Sequence, residues 1–255
     1  MERWMERTRL LLGDEKLGRL RSAHILVVGL GGVGAYAAEM IVRAGAGRLT
    51  IADADRVAET NINRQLVALH STVGRPKAEV LAERLRDINP DLQLTVIEKY
   101  IRDEETDRLL DAAPYDYAVD AIDTLSPKLA LIKGCLDRGI PLVSSMGAGA
   151  KTDPTRMEIA DIGRTHHCPL AHMLRKRLHK LGIRTGFRAV FSAEPARADA
   201  RGGDDPLRGA EQEIERGNDL LPARALRHRL RIGRGTRPAG RNGGFRQTGK
   251  QRLNR

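Results

Sequence analysis

The sequence predicts an α/β fold: a Rossmann-like, doubly wound and largely parallel sheet with helices on both faces. Two observations lead to this prediction. Short apolar runs alternate with longer segments of helical periodicity between residues 24 and 181, and the first apolar run leads into a glycine-rich turn that opens a helix. Right-handed crossovers between parallel strands then place helices on the sheet faces.

The individual elements follow from apolar spacing and turn residues. Strands are predicted at residues 24–29, 48–53, 92–97, 115–121, 141–145 and 156–162. One or two helices are predicted within residues 5–22, and others at 33–45, 76–88, 104–112, 126–138 and 169–181. Helix 76–88, for example, is predicted because its apolar residues share one face; these are Val80, Leu81, Leu85 and Ile88.

The turn after the first strand is typical of a nucleotide-phosphate site. Gly29 lets the strand turn, Gly31 and Gly32 let backbone approach phosphate, and Gly34 lets the helix pack closely on the strand. The unpaired N–H groups at the helix start favour an anion. The second strand ends at Asp53, where a carboxylate can bind ribose hydroxyls.

The glycine turn alone also fits a nicotinamide or flavin dinucleotide. The following residues favour a triphosphate, because two cations, Arg64 and Lys77, occur within 25 residues of Asp53. Asp55 is predicted to organise the loop after the second strand. Asp123 follows a predicted strand, where it could hold a magnesium ion through oxygen ligands, and Asp120 is the alternative ligand.

Several motifs together resemble a known superfamily. They are the glycine turn, Asp53-Ala-Asp55, Asn61-Ile-Asn-Arg64-Gln65, Gly74-Arg-Pro-Lys77 and Asp120-Ala-Ile-Asp123. This set is similar to the adenylating superfamily of ubiquitin-activating and sulfur-carrier-activating enzymes. Residues 119–128 and 147–155 look most like its tRNA threonylcarbamoyladenosine dehydratases, and the resemblance covers residues 5 to 195.

The resemblance implies ATP and Mg²⁺ as cofactors. The implied ATP-binding residues are Gly29, Gly31, Gly32, Gly34, Asp53, Asn61, Arg64 and Lys77, and the implied metal and catalytic residue is Asp123. Arg64 would also serve catalysis. Arg9 resembles an arginine that the superfamily inserts into the neighbouring subunit's site, which implies a homodimer.

The implied activity is ATP-dependent adenylation of the threonyl carboxylate of N6-threonylcarbamoyladenosine at tRNA position 37, followed by cyclisation. A ubiquitin-like sulfur-carrier activator and an NAD-binding oxidoreductase are the alternatives. The resemblance also allows a partner protein for sulfur transfer or activation. Cys135 is predicted to be a packing thiol inside a helix, and Cys168 carries no predicted role.

Charge separates two regions of the chain. Residues 1–197 are predicted to form the adenylation domain, and most of the net charge of +11 resides in the basic region 198–255. That region has little apolar periodicity, so disorder is predicted. The absence of long apolar runs and the use of only two cysteines predict a cytoplasmic protein without a membrane span.

The basic region lacks the apolar segment with which the family usually continues. Codons permitted for residues 217–230, read from their second base, encode Gly-Thr-Ile-Ser-Tyr-Leu-Pro-Ala-Leu-Phe-Gly-Ile-Ala, which matches that segment. We therefore hypothesise that the basic region is an out-of-frame translation of the family's usual C-terminal segment, with the frameshift between about residues 195 and 208. Such a chain would leave exposed the sheet face that the apolar helix should cover.

Overall fold

The computed structural model describes residues 3–149 and 151–195. Its strands are β1 (His24–Val28), β2 (Arg48–Ala52), β3 (Gln93–Ile97), β4 (Tyr117–Asp120), β5 (Leu142–Ser145), β6 (Met157–Asp161) and β7 (Arg188–Ser192). The region 198–255, with its predicted disorder and the frameshift hypothesis, lies outside the described residues.

Six α-helices are present in the described part of the chain: α1 (Glu6–Ser22), α2 (Gly34–Ala44), α3 (Lys77–Ile88), α4 (Glu104–Asp111), α5 (Leu125–Asp137) and α6 (Pro169–Lys180). Short 3₁₀ segments lie at Arg3–Met5, Glu59–Asn61, His70–Thr72, Pro154–Arg156 and Ile162–Arg164. Helix α1 breaks at Gly13, where φ is 79°, so the prediction of one or two helices there is realised as two. No described helix is both long and apolar enough to cross a membrane.

The seven described strands form one sheet in the order β3-β2-β1-β4-β5-β7-β6. Every pair is parallel except β6 with β7. Helix α2 packs against α3, whereas α4 packs against α5 and α5 against α6. This arrangement confirms the doubly wound α/β fold with a largely parallel sheet.

One apolar core lies between the sheet and the α2–α3 layer. Strand β1 is buried along its whole length, as expected for a central parallel strand. The fully buried members of this core include Val27, Leu49, Ile51, Ala35, Ala38, Val42, Leu81 and Leu85. The helices are therefore held to the sheet mainly by apolar burial.

Strand β7 is an element that the sequence analysis did not predict. It lies between β5 and β6, pairing with β5 in parallel and with β6 in antiparallel fashion. Its five residues, Arg188–Ser192, lie in a short segment that no predicted helix or turn motif delimits, and their place in the sheet depends on long-range pairing.

Two glycines allow close packing at the carboxyl end of β1. Gly29 has a φ of 87°, and a Cβ there would lie 2.7 Å from the carbonyl oxygen of Ala121. A Cβ on Gly34 would lie only 1.7 Å from the carbonyl oxygen of Gly29. The start of α2 thus packs on the end of β1 more closely than any side chain would permit.

We expect Gly34→Ala to lower the free energy of unfolding by about 3 kcal/mol, because the added methyl group must push α2 away from β1. The matched control is Gly18→Ala in α1, where a Cβ would meet nothing within 4 Å. That control should be neutral or gain up to about 1 kcal/mol of stability from helix propensity. Urea denaturation measures both, and equal stabilities for the two variants would contradict the packing argument.

Candidate functional site

The candidate site lies at the carboxyl ends of β1, β2 and β4. These strands are neighbours, and the chain winds outward in opposite directions from the boundary between β1 and β4. Open parallel sheets bind ligands at such a reversal point. The glycine turn, Asp53 and Asp123 each follow one of these three strands.

The glycine turn presents an anion-binding surface. Helix α2 begins after Val33 without a side-chain cap and has no acidic residue in its first turn. A Cβ on Gly31 or Gly32 would meet its nearest neighbour at 3.6 Å, an ordinary van der Waals distance, and those neighbours belong to Gln65 and Arg64. Uncapped N–H groups and the helix dipole favour phosphate here.

Asp53 holds the glycine turn in place. Its Oδ2 accepts a hydrogen bond from the Leu30 N–H at 2.6 Å, and its Oδ1 accepts one from the Asp55 N–H at 2.8 Å. Burial raises the pKa of this carboxyl, while the two N–H donors and the nearby Lys77 ammonium oppose that rise. The carboxylate that was predicted to bind ribose therefore also fixes the loop geometry.

The segment 61–65 faces the glycine turn. The Cγ atom of Arg64 lies 3.7 Å from the Cβ position of Gly32, and Nε2 of Gln65 lies 3.6 Å from that of Gly31. Asn61 shapes this turn, because its Oδ1 accepts a hydrogen bond from the Ala58 N–H at 3.1 Å. The guanidinium of Arg64 donates only to Thr60 O and Asn63 Oδ1, so it remains exposed and without an acidic partner among the described residues.

Lys77 is the second cation of the site. Its side chain is 6% exposed, and its Nζ donates to Asp55 Oδ2 at 2.8 Å. The backbone N–H of Lys77 also donates to the carbonyl oxygen of Asp55 at 2.9 Å. Asp55 therefore organises the loop, as predicted, and also neutralises the lysine.

The two acidic residues after β4 have different environments. Asp123 is exposed and forms no hydrogen bond or ion pair with any described residue. Asp120 is fully buried, and its carboxylate is occupied by protein donors. Of the two candidate metal ligands, only Asp123 is accessible to an incoming ion.

A buried ion pair fixes the loop that carries Asp123. Lys128 Nζ donates to Asp120 Oδ2 and to the carbonyl oxygen of Ile122, each at 2.8 Å, and both charged side chains are 0% exposed. Asp120 Oδ1 accepts from the Ile122 N–H at 3.1 Å, and Oδ2 accepts from Ser144 Oγ at 2.6 Å. We refer to Asp120, Lys128 and Ser144 as the loop lock.

Sequence reasoning assigned no role to Lys128 or Ser144. A signal for Lys128 existed, because it is a lysine on the α5 face that also carries Leu125, Leu131 and Ile132. A charged residue at a buried helical position needs a partner of opposite charge. No sequence signal identified Ser144, because its contact with Asp120 depends on the pairing of β4 with β5.

Arg9 and the cysteines complete the set of predicted residues. Arg9 lies in α1, and its Nε is buried without a hydrogen-bond partner among the described residues. Burial raises the pKa of the Cys135 thiol to about 12, which agrees with the predicted packing role. Cys168 caps α6, because its Sγ accepts a hydrogen bond from the Ala171 N–H at 3.5 Å.

Comparison with known proteins gives consistent results. The model of the ThiF family matches residues 5–198. A tRNA threonylcarbamoyladenosine dehydratase of Bacillus subtilis is 46% identical over 188 residues, which cover 74% of each chain.

Two solved structures of the E. coli tRNA N6-threonylcarbamoyladenosine dehydratase are similar in fold. The complex with ATP has a TM-score of 0.74 and 40% identity, covering 78% of this chain and 85% of that one. The complex with AMP has a TM-score of 0.73 and 41% identity, with coverages of 77% and 84%.

We expect Lys128→Met to lower the free energy of unfolding by about 3–5 kcal/mol, because Asp120 would remain buried without its counter-ion. In the double variant Asp120→Leu/Lys128→Met, apolar side chains replace both charges, so most of that stability should return. Hydrogen exchange of the 121–124 loop should nevertheless be faster in the double variant, because the bonds to Ile122 are gone. Urea denaturation and exchange mass spectrometry measure these effects, and a Lys128→Met variant as stable as the wild type would contradict the ion pair.

Proposed function

The chain belongs to the ThiF family, and from its relatives we infer that it is an ATP-dependent tRNA threonylcarbamoyladenosine dehydratase. It adenylates the threonyl carboxylate of the modified adenosine and promotes its cyclisation. The structural observation that carries this proposal is the meeting of three features at one sheet edge: an uncapped glycine turn, two cations and an exposed carboxylate that has no partner among the described residues.

The proposed reaction consists of two successive substitution steps. A carboxylate oxygen of the threonyl group attacks the α-phosphorus of ATP, and the bond to the β-phosphate breaks to release pyrophosphate. An internal nitrogen or oxygen of the modified base then attacks the activated carbonyl carbon and loses its proton, and AMP departs with the former carboxylate oxygen. The net result is the removal of one water molecule from the substrate at the expense of ATP.

The described residues fit ATP. The N–H groups at the start of α2 would bind phosphate, and Asp53 would accept hydrogen bonds from the ribose hydroxyls. The Nε2 amide of Gln65 lies near Gly31, and its buried Oε1 accepts no hydrogen bond from a described residue, so this side chain can still accept a bond from a donor. Arg64 and Lys77 would neutralise the phosphate charge that develops during the attack, which is a large contribution in phosphoryl chemistry.

Asp123 is the residue that would hold Mg²⁺. Its carboxylate is exposed and contacts no donor in the described part of the chain, which suits this ion, since Mg²⁺ binds proteins through one or two carboxylates together with substrate phosphates. The bound ion would neutralise negative charge on the phosphates. The loop lock keeps the backbone on either side of Asp123 in one geometry.

The two alternative functions have weaker support. A sulfur-carrier activator usually has an accessible thiol or zinc knuckles, whereas Cys135 and Cys168 are both buried. An NAD-dependent oxidoreductase needs no triphosphate cations, whereas Arg64 adjoins the glycine turn and Lys77 the Asp53–Asp55 loop. A tRNA substrate agrees with the predicted cytoplasmic location, and a sulfur-transfer or activation partner remains a prediction.

We also propose that the protein acts as a homodimer. Helix α1 exposes Leu10 and Leu11 beside Arg9, whereas α2 exposes Tyr36 and Met40, and its N-cap residue Val33 is exposed as well. Exposed apolar side chains on two helices favour burial against a second copy. Arg9 would then enter the partner's site as a further cation for the phosphates.

Asp123→Ala should lower pyrophosphate exchange with labelled ATP and modified tRNA by about a hundredfold or more, because one preorganised charge is lost at the reacting phosphate. The control is Asp91→Ala, which removes an exposed carboxylate at the opposite end of the sheet. Circular dichroism verifies that both variants are folded. Exchange at the wild-type rate in Asp123→Ala would remove this residue from the mechanism.

Lys77→Ala should weaken ATP binding far more than NAD binding, because it removes a cation that a triphosphate requires. Lys99→Ala serves as the control, since this lysine is exposed and paired with Glu105. Isothermal calorimetry measures both nucleotides. Tight NAD binding together with no ATP binding by the wild-type protein would support the oxidoreductase alternative instead.

Mixing Arg9→Ala subunits with Asp123→Ala subunits should restore activity to two inactive proteins. Half of the randomly mixed dimers pair the two variants, and each of these has one intact site, so about a quarter of wild-type activity is expected. Native mass spectrometry confirms that mixed dimers form. If they form and remain inactive, Arg9 does not act across the interface.

A further inference from the structure

The segment between Asp161 and Glu194 has charge of only one sign. It contains seven Lys and Arg residues and four His residues but no Asp or Glu. Solvent-exposed helices normally intersperse charges of both signs, which keeps them soluble without attracting one class of ligand. A segment with cations alone favours the approach of an anionic ligand.

The cations of this segment have no acidic partners among the described residues. Arg175 Nη1 donates to Thr165 Oγ1, and none of the seven forms an ion pair with a described carboxylate. Several exposed cations on other helices do have acidic partners. Arg19 pairs with Glu15, Arg108 with Glu104 and Glu105, and Lys133 with Asp137.

Helix α6 extends this charge away from the candidate site. It begins beside the loop after β5, because Cys168 Sγ donates to the carbonyl oxygen of Gly147 at 3.6 Å. Its buried face consists of Leu170, Ala171, Leu174 and Leu178, whereas His172, Lys176 and Lys180 are exposed at i, i+4 and i+8. The helix is about 18 Å long, and the chain then reaches the amino end of β7 at Arg188.

We propose that six exposed residues bind the phosphate backbone of the tRNA substrate. They are His172, Lys176 and Lys180 on α6, together with Arg164, Arg184 and Arg188 on the flanking segments, and we name this set the α6 basic face. This proposal rests on the proposed function. A modified base held at the carboxyl end of the sheet leaves the adjoining stem to run along a neighbouring surface, and α6 starts at that edge. Phosphate contacts of this kind position the nucleic acid without reading its sequence.

The test uses the double variant Lys176→Gln/Lys180→Gln in the full chain. Its affinity for modified tRNA should fall about tenfold at physiological salt, and the slope of log affinity against log salt should decrease by about 2, one for each lost phosphate contact. The KM for tRNA should rise accordingly, while kcat and the ATP affinity stay at wild-type values. Filter binding over a salt series and steady-state cyclisation assays provide these quantities.

The matched control is Lys99→Gln/Arg108→Gln, which removes the same charge from exposed cations that already have acidic partners. If both double variants bind tRNA as the wild type does, the α6 basic face does not contact tRNA, and an acidic protein becomes the better candidate partner. Failure of the proposed function itself gives a different result. In that case the wild-type protein neither binds nor cyclises modified tRNA, whichever cations are present.

Discussion

The buried pair of Asp120 and Lys128 is the interaction on which the geometry of the site depends. The pair lies at the boundary between β1 and β4, where the sheet reverses its winding direction, and both side chains are buried away from water. Charges are retained in such a place at a large desolvation cost, so apolar residues would stabilise the fold at least as well. What apolar residues could not supply is a donor for the Ile122 carbonyl and an acceptor for the Ile122 N–H. The ion pair therefore adds little to the stability of the fold but fixes the conformation of the loop beside Asp123.

The first half of the site could be predicted from the sequence because its signals are local. The strand, glycine turn and helix are contiguous, and Gly34 is required by a contact only five residues away, with Gly29. The carboxylate of Asp53 binds the Leu30 N–H across neighbouring strands, which the parallel pairing of β1 and β2 makes predictable. Local pattern and parallel pairing together were sufficient here.

The remaining features arise from long-range contacts. Ser144 reaches Asp120 only because β5 pairs with β4, and β7 enters the sheet between two strands that precede it in the sequence. The pairing of Lys77 with Asp55 was not predicted either, since a single sequence gives no indication of which partner a cation has before ligand binds. Asp55 serves as the counter-ion of the buried lysine. Under the proposed function, a triphosphate at this lysine would exchange one anion for another instead of meeting a bare buried charge.

Strand β6 ends the described sheet and has a consequence for colloidal behaviour. Its outer edge pairs with no described strand, and Met157 and Ile159 are 47% and 68% exposed on one of its faces. An open edge with apolar side chains can template pairing between chains, a process whose rate rises with protein concentration. Glu158, which points to the opposite face of the strand, and Asp161 at its end are charges that oppose such stacking. Any self-association at β6 is therefore governed by a balance between two apolar side chains, which favour stacking of chains, and two carboxylates, which oppose it through charge repulsion.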